Sequence, residues 1–249
     1  MAVFTIADLH LSNSTDKSME VFGARWLNYT EKLISRWSAV VSDDDTVIIP
    51  GDISWAMTLN EATKDFAMLN SLPGHKIIGK GNHDFWWATL SKINAFLAQN
   101  NFDSIKILHN NAYVVENIIV CGTRGWFYDE KQQVTAGENV DFEKIVKRET
   151  LRLRFSLEEA AKLRKESGAD LPIVAFFHFP PVWADFVCRE TVDLLHEYGV
   201  RYCYYGHIHG NYFVPHKTVC ENISMSLVSA DFVDFTPVPV FENKILQSL

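Results

Sequence analysis

Short apolar runs rich in β-branched and aromatic residues recur along the chain, and the side chains that end them carry most of its chemistry. The runs are Val3 to Ala7, Thr46 to Ile49, Lys76 to Ile78, Ile105 to Leu108, Tyr113 to Val115, Ile118 to Cys121, Ile173 to Phe177, Arg201 to Tyr205 and Ile223 to Val228. Their length suits buried strands. Stretches with helical spacing lie between several of them: Met19 to Val41, Asn60 to Asn70, Phe85 to Ala98 and Asp185 to Tyr198. This alternation predicts a layered α/β domain, with strand-rich segments at 105–121 and 211–241 that need antiparallel pairing. No low-complexity linker interrupts it, so one domain spanning residues 1–249 is expected. The densest charge run, Glu143 to Glu166, reads as helix within a segment of about 139–168. A solvated helix face is the plainer interpretation of that segment and a substrate cap the sharper one.

An apolar content of 47% supports a sizeable core and argues against disorder. The formal charge of -8 argues against a non-specific grip on nucleic acid or anionic membrane, although a local basic cleft remains compatible with it. No run of about 18 apolar residues is present to span a bilayer. The start, MAVFTIADLH, lacks the basic opening and small-residue cleavage site of a secretory signal. A cytoplasmic protein with no membrane or stable nucleic-acid partner is therefore expected. Cys121, Cys188, Cys203 and Cys220 form no CxxC pair and read as reduced, mostly buried thiols.

Five of the runs end in metal-capable side chains. VFTIA leads to Asp8 and His10, TVIIPG to Asp52, KIIGKG to Asn82 and His83, PIVAFF to His178, and RYCYYG to His207 and His209. If the chain stays extended, residues two apart face the same way, so Asp8 with His10 and His207 with His209 each aim two ligands at one place. Strands sharing one sheet would bring these ends to the crevice where open α/β sheets bind ligands. Gly51, Gly81 and Gly206 precede three of the blocks and permit tight turns and close approach. The set mixes oxygen with nitrogen and exceeds what one tetrahedral zinc needs, which suits a pair of divalent ions such as manganese, iron or zinc. Asp52 stands alone at its strand end and is the natural bridge, since a buried carboxylate needs cations or donors.

In this order, DLH, GD, GNHD, a later single His and GHIH resemble the calcineurin-like metallophosphoesterase superfamily, over a span from Asp8 to His209. The resemblance implies a four-layer α/β/β/α sandwich, two mixed β-sheets flanked by helices. It assigns Asp8, His10, Asp52 and His209 to one metal and Asp52, Asn82, His178 and His207 to the other. His83 would be no ligand but would face the leaving group. The implied activity is metal-dependent phosphoester hydrolysis, as phosphodiesterase or small-molecule phosphatase. A hydroxide bridging the two ions would attack phosphorus, and His83, as an imidazolium with a pKa near the operating pH, would assist the departing oxygen.

The chain departs from the superfamily's protein phosphatases where they carry GDxVDRG. The second Asp of that motif pairs with the catalytic His and the Arg grips phosphate; here those positions hold Trp55 and Ala56, and GNHD replaces GNHE. A small phosphorylated substrate is expected over phosphoprotein. Asp84 adjoins His83, but neighbouring side chains commonly diverge, so what orients His83 is open. Aromatic residues crowd the motif loops: Trp55, Phe85, Trp86, Trp87, Trp126, Phe127 and Trp183. Most suit core packing, whereas Trp55 and Trp183 directly follow ligand blocks and are candidates to line the substrate cleft. Arg124, in GTRGW, is the candidate replacement for the phosphate grip, with a surface ion pair as its alternative. Two rival readings are a nuclease on the same fold, disfavoured by the acidic balance, and a non-catalytic metal-binding scaffold, which would be expected to have lost ligands.

Overall fold

The computed structural model of the chain describes residues 1–126 and 141–241; Phe127 and the last residues of the chain lie outside them. The predicted strands pair into two large sheets. In the first, β1 (Val3–Thr5), β2 (Thr46–Ile49), β3 (His75–Ile78) and β4 (Ile105–Ile107) run parallel in that order, and β13 (Val238–Pro239) pairs antiparallel with β1. In the second, β6 (Ile118–Thr123), β7 (Ile173–Phe177), β10 (Tyr202–Tyr205) and β12 (Ile223–Leu227) are parallel neighbours. Its edges are β5 (Tyr113–Val115) and β11 (Lys217–Cys220), both antiparallel. A small hairpin, β8 (Val182–Trp183) with β9 (Phe186–Val187), follows β7.

Alternation along the strands produces the layering. Val47 and Ile49 of β2 face one apolar cluster while Ile48 faces another; in β7, Ile173, Ala175 and Phe177 face one way and Val174 and Phe176 the other. Ile48, Ile77, Val120, Val174, Phe176 and Val228 fill the space between the sheets. Helices α1 (Tyr29–Val40), α2 (Thr63–Ser71) and α3 (Leu90–Gln99) cover the outside of the first sheet with Leu33, Trp37, Phe66, Leu69, Ile93 and Phe96. Helices α4 (Phe142–Ser167) and α5 (Arg189–Glu197) cover the second with Leu153, Leu157, Ala160, Val192 and Leu195. Three apolar interfaces between four layers give the α/β/β/α sandwich. Each fully buried large side chain contributes about 1.5–3 kcal/mol to it.

The structure revises several element boundaries. The single helix expected over Met19 to Val41 is two 3-10 turns, Met19–Phe22 and Ala24–Trp26, followed by α1. Gly23, at φ 123°, and Asn28, at φ 50°, break it, because neither angle is helical. The helix expected over Asp185 to Tyr198 begins only at Arg189, since Phe186 and Val187 are used by the hairpin. Ile105–Ile107, placed in an antiparallel segment by the sequence, instead extends the first sheet in parallel after the α3 crossover. All four cysteines are unpaired, with Cys121, Cys188 and Cys203 buried. Among the described residues no helix is long and apolar enough to cross a membrane.

The five ligand-bearing strands do not share a sheet. β1, β2 and β3 belong to the first and β7 and β10 to the second. The blocks still meet, because the end of β1 is joined to the end of β12 across the sandwich: Ala7 N donates to Val228 O at 2.8 Å, and Ala230 N to Ala7 O at 2.8 Å. That junction brings the carboxyl ends of both sheets to one face.

Candidate metal centre

The ligand loops are not extended. Asp8, His10, Asp52 and His207 have φ of 60°, 46°, 52° and 69°, so the same-face argument from strand alternation does not apply. Left-handed backbone at non-glycine residues is unfavourable, and its concentration here is compensated by bonds between the loops. His10 N donates to Asp52 O at 3.0 Å, Asp8 N to Gly51 O at 3.1 Å, and His207 N to Asp8 Oδ2 at 2.9 Å. Two glycines are required by close approach: a Cβ on Gly81 would lie 2.0 Å from Asp52 Oδ1, and one on Gly206 would lie 2.3 Å from Asp8 Oδ2.

These loops bring all seven ligand candidates together. Asp8, His10 and His209 form one cluster and Asp8, Asp52 and His178 a second. His10 Nε2 lies 3.3 Å from His209 Nε2 and 3.6 Å from Asp52 Oδ2. His178 reaches Asp8 Oδ1 through Nδ1 and Asp52 Oδ2 through Nε2, each at 3.5 Å. His209 Nε2 is 3.7 Å from Asp8 Oδ1. Asn82 Oδ1 contacts His178 Nε2 and lies 3.1 Å from His207 Nδ1. Asp8 belongs to both clusters, whereas Asp52, which the sequence singled out, belongs to the second and reaches the first through His10.

The spacings fit metal ions better than hydrogen bonds. Separations of 3.3–3.7 Å exceed normal hydrogen-bond lengths. Ligands about 2.0–2.1 Å from a tetrahedral ion stand about 3.3 Å apart, close to what is seen. Asp52 Oδ2 and His178 Nδ1 are buried without hydrogen-bond partners among the described residues.

Electrostatics point the same way. Burial raises the Asp8 carboxyl to about 6 against the pull of His209, and raises Asp52 well above the usual carboxylate range with help from the Asp84 and Asp8 carboxylates. Burial and mutual repulsion hold the imidazoles of His10 and His178 well below their usual range, leaving neutral rings with lone pairs to offer. Crowded carboxylates and neutral imidazoles are both relieved by a cation. For His209, burial alone would lower the pKa, but Asp231 Oδ1 at 2.7 Å from Nδ1, together with Asp8, raises it.

His83 lies beside this cluster. Its backbone N–H donates to Asp52 Oδ1 at 2.8 Å, and its ring packs on Trp55 with centroids 4.5 Å apart and on Phe85 at 6.2 Å. Nδ1 is buried and has no partner among the described residues. Burial, then His209 and Lys17, lower its pKa, so the free protein favours neutral imidazole rather than the poised imidazolium expected from the sequence. Asp84 does not orient it. The Asp84 carboxylate instead accepts from Asp52 N at 2.9 Å, Ile53 N at 2.8 Å, Gly81 N at 2.7 Å and Trp86 Nε1 at 2.9 Å, tying the Asp52 loop to the Asn82 loop. Packing on the Trp55 indole, which also stacks on His10 at 5.0 Å, is what positions His83.

Of the remaining candidates, Arg124 bridges to Glu149 at 3.3 Å and senses the Asp52 charge. Trp183 packs edge-on against Tyr205 at 6.4 Å, with the cluster between the second sheet and its helices. The residue missed by sequence reasoning is Asp231, which also accepts from Gly210 N at 3.1 Å and Tyr212 OH at 2.9 Å. It closely follows the apolar run Ile223 to Val228, so the rule that found the other ligand blocks could have found it.

Comparison with known proteins gives a family model, calcineurin-like phosphoesterase, that matches residues 1–211. No curated protein matches the chain. Among solved structures, it is similar to AQ665 from Aquifex aeolicus, a protein of unknown function, at 14% identity and a TM-score of 0.53, covering 100% of this chain and 99% of that one. It is also similar to TT1561 of Thermus thermophilus at 15% identity and a TM-score of 0.53, covering 92% and 89% respectively. At these identities the likeness is one of fold.

Proposed function

The chain belongs to the calcineurin-like phosphoesterase family, and on that premise we propose that it hydrolyses phosphoesters with two divalent metal ions. The observation that carries this reading is the convergence of Asp8, His10, Asp52, Asn82, His178, His207 and His209, with buried Asp52 Oδ2 and His178 Nδ1 atoms that find no partner among the described residues. Asp8, His10, Asp52 and His209 would hold one ion and Asp52, Asn82, His178 and His207 the other. Bound there, the ions supply Lewis acidity toward phosphoryl oxygens and a lowered pKa for water.

The chain's own residues prepare that chemistry. Asp231, accepting from His209 Nδ1, keeps the Nε2 lone pair of His209 aimed inward. Asp84 fixes the two loops that present Asp52 and Asn82. His83, held against Trp55, stands where it can take up a proton as the substrate's negative charge arrives and deliver it to the departing oxygen. Trp55 and Ala56 stand where a protein phosphatase carries its Asp and Arg, which favours a phosphodiester or small phosphorylated molecule as substrate.

Hydrolysis of bis(4-nitrophenyl) phosphate and 4-nitrophenyl phosphate with manganese, iron or zinc tests the proposal. Asp52→Ala should abolish turnover, and His83→Ala should lower kcat more than KM. Full turnover in both variants would end this reading.

A further inference from the structure

Beside the ligand cluster lies a knot of positive charge that the proposed chemistry leaves unused. Lys80 precedes Gly81-Asn82-His83, Arg124 follows β6, and Arg148 and Arg152 stand one turn apart on α4. Lys80, His109, Thr123, Arg124, Glu149 and Arg152 line a shallow cleft that opens directly to solvent. Three guanidinium groups converge on one oxygen, Glu149 Oε1: Arg152 Nη1 at 2.8 Å, Arg124 Nη2 at 3.3 Å and Arg148 Nε at 3.4 Å. Glu149 Oε2 accepts from Thr123 Oγ1 at 3.1 Å.

Among the described residues the donors outnumber the acceptors. Each guanidinium offers five N–H donors, and one carboxylate oxygen leaves most of them unused. Arg124 Nε is buried with no partner among the described residues. Lys80 forms no hydrogen bond or ion pair among them either; its ammonium lies 5.9 Å from the Trp87 ring centroid. One arginine would satisfy the buried Glu149, and each further cation adds repulsion at short range. Three guanidinium groups share one carboxylate oxygen while Arg124 Nε and the Lys80 ammonium stay without hydrogen-bond partners among the described residues, which leaves donors that an outside anion would satisfy.

The cleft adjoins the metal centre. Arg124 O accepts from Phe179 N at 2.8 Å, and its guanidinium lies 5.9 Å from the Phe179 ring, which itself lies 4.4 Å from the His207 ring. Forked guanidinium donors suit the several oxygens of a phosphoryl group. Resting on the hydrolase reading, we propose that Lys80, Arg124 and Arg152 form a subsite for a second phosphoryl group, so that the substrate carries two phosphates and one is cleaved.

The metal-loaded full chain is titrated calorimetrically with methylphosphonate, methylenediphosphonate and 1,3-propylenediphosphonate, none of which requires turnover. At least one diphosphonate should bind about tenfold or more tightly than methylphosphonate. Lys80→Met and Arg152→Gln should each remove most of that advantage while changing methylphosphonate affinity much less. Preference for the methylene compound assigns a diphosphate linkage, and preference for the propylene compound assigns two separated phosphates. Because Lys80 forms no hydrogen bond or ion pair among the described residues, Lys80→Met keeps the test valid if Arg152→Gln unsettles Glu149. No advantage in the unmodified protein, or an advantage intact in both variants, overturns the proposal. A diphosphonate advantage in a protein that cleaves no phosphoester would leave the anion subsite standing and remove the hydrolase reading alone.

Discussion

Replacing Asp84 with Asn tests whether the candidate metal centre depends on a residue that would hold no metal. Asp84 is fully buried, and its two oxygens accept from backbone and indole donors: Oδ2 from Asp52 N and Gly81 N, Oδ1 from Ile53 N, Ser54 N and Trp86 Nε1. Asn keeps one acceptor and turns the other into an NH₂ facing N–H groups. The cheaper orientation sacrifices the Oδ2 pair. Each lost bond to a charged acceptor is worth about 1.5–3 kcal/mol, and each orphaned buried N–H costs about 1–3 kcal/mol by the alternative count of the same loss. Against this, the variant no longer buries a charge; burial raises the Asp84 pKa, which shows the carboxylate is held at some cost. The net expectation is about 3–5 kcal/mol of destabilisation, read by urea denaturation of the metal-free protein. Since the lost bonds hold the loops presenting Asp52 and Asn82, metal affinity should fall by about 10- to 100-fold as well. A loss below about 1 kcal/mol with unchanged metal affinity would refute the clamp.

Three further outcomes are expected. Asp231→Asn removes the charged partner of His209 Nδ1, so affinity for manganese or zinc should drop by about 10- to 100-fold in a metal titration, and an unchanged isotherm would count against its role. Chelation should lower Tm, because metal at about 100 times its Kd contributes about 2.7 kcal/mol by linkage and its removal leaves Asp8 and Asp52 crowded; equal Tm with and without EDTA would contradict a centre built for cations. Lys76 is wholly buried in β3, where burial lowers its pKa to about 8. Below that pH both folded and unfolded states hold the proton and the folded state bears the buried charge. Between about 8 and 10.5 the unfolded state binds more protons, so stability relative to Lys76→Met should rise with pH by roughly 3 kcal/mol. Parallel denaturation curves for the two proteins across that pH range would show the shift to be absent.

What could be read from the sequence, and what could not, divides along a physical line. Burial and residue chemistry are local properties, so apolar runs located the strands, and the metal-capable side chains that end them are the ones the fold brings together. Sheet membership is long-range: nothing in the run ending at His178 indicates that its strand pairs with β6 and β10 rather than with β2. The left-handed backbone at Asp8, His10 and Asp52 is equally silent, because aspartate and histidine adopt it only when the surrounding bonds enforce it. Asp84 was hidden for a related reason. Its main partners are backbone N–H groups, which every residue but proline carries, so no motif announces them. Trp55 shows the converse, a side chain whose sequence position was informative but whose role needed coordinates. It stands where a protein phosphatase carries an acidic partner for its histidine, yet His83 is not left loose, because the indole packs on both His83 and His10. Support by packing leaves His83 Nδ1 without an acceptor among the described residues and its pKa depressed. Under the proposed hydrolysis, a proton delivered by His83 would be stabilised by the substrate's own negative charge, so leaving-group assistance would be coupled to phosphate binding rather than supplied in advance by a neighbouring carboxylate.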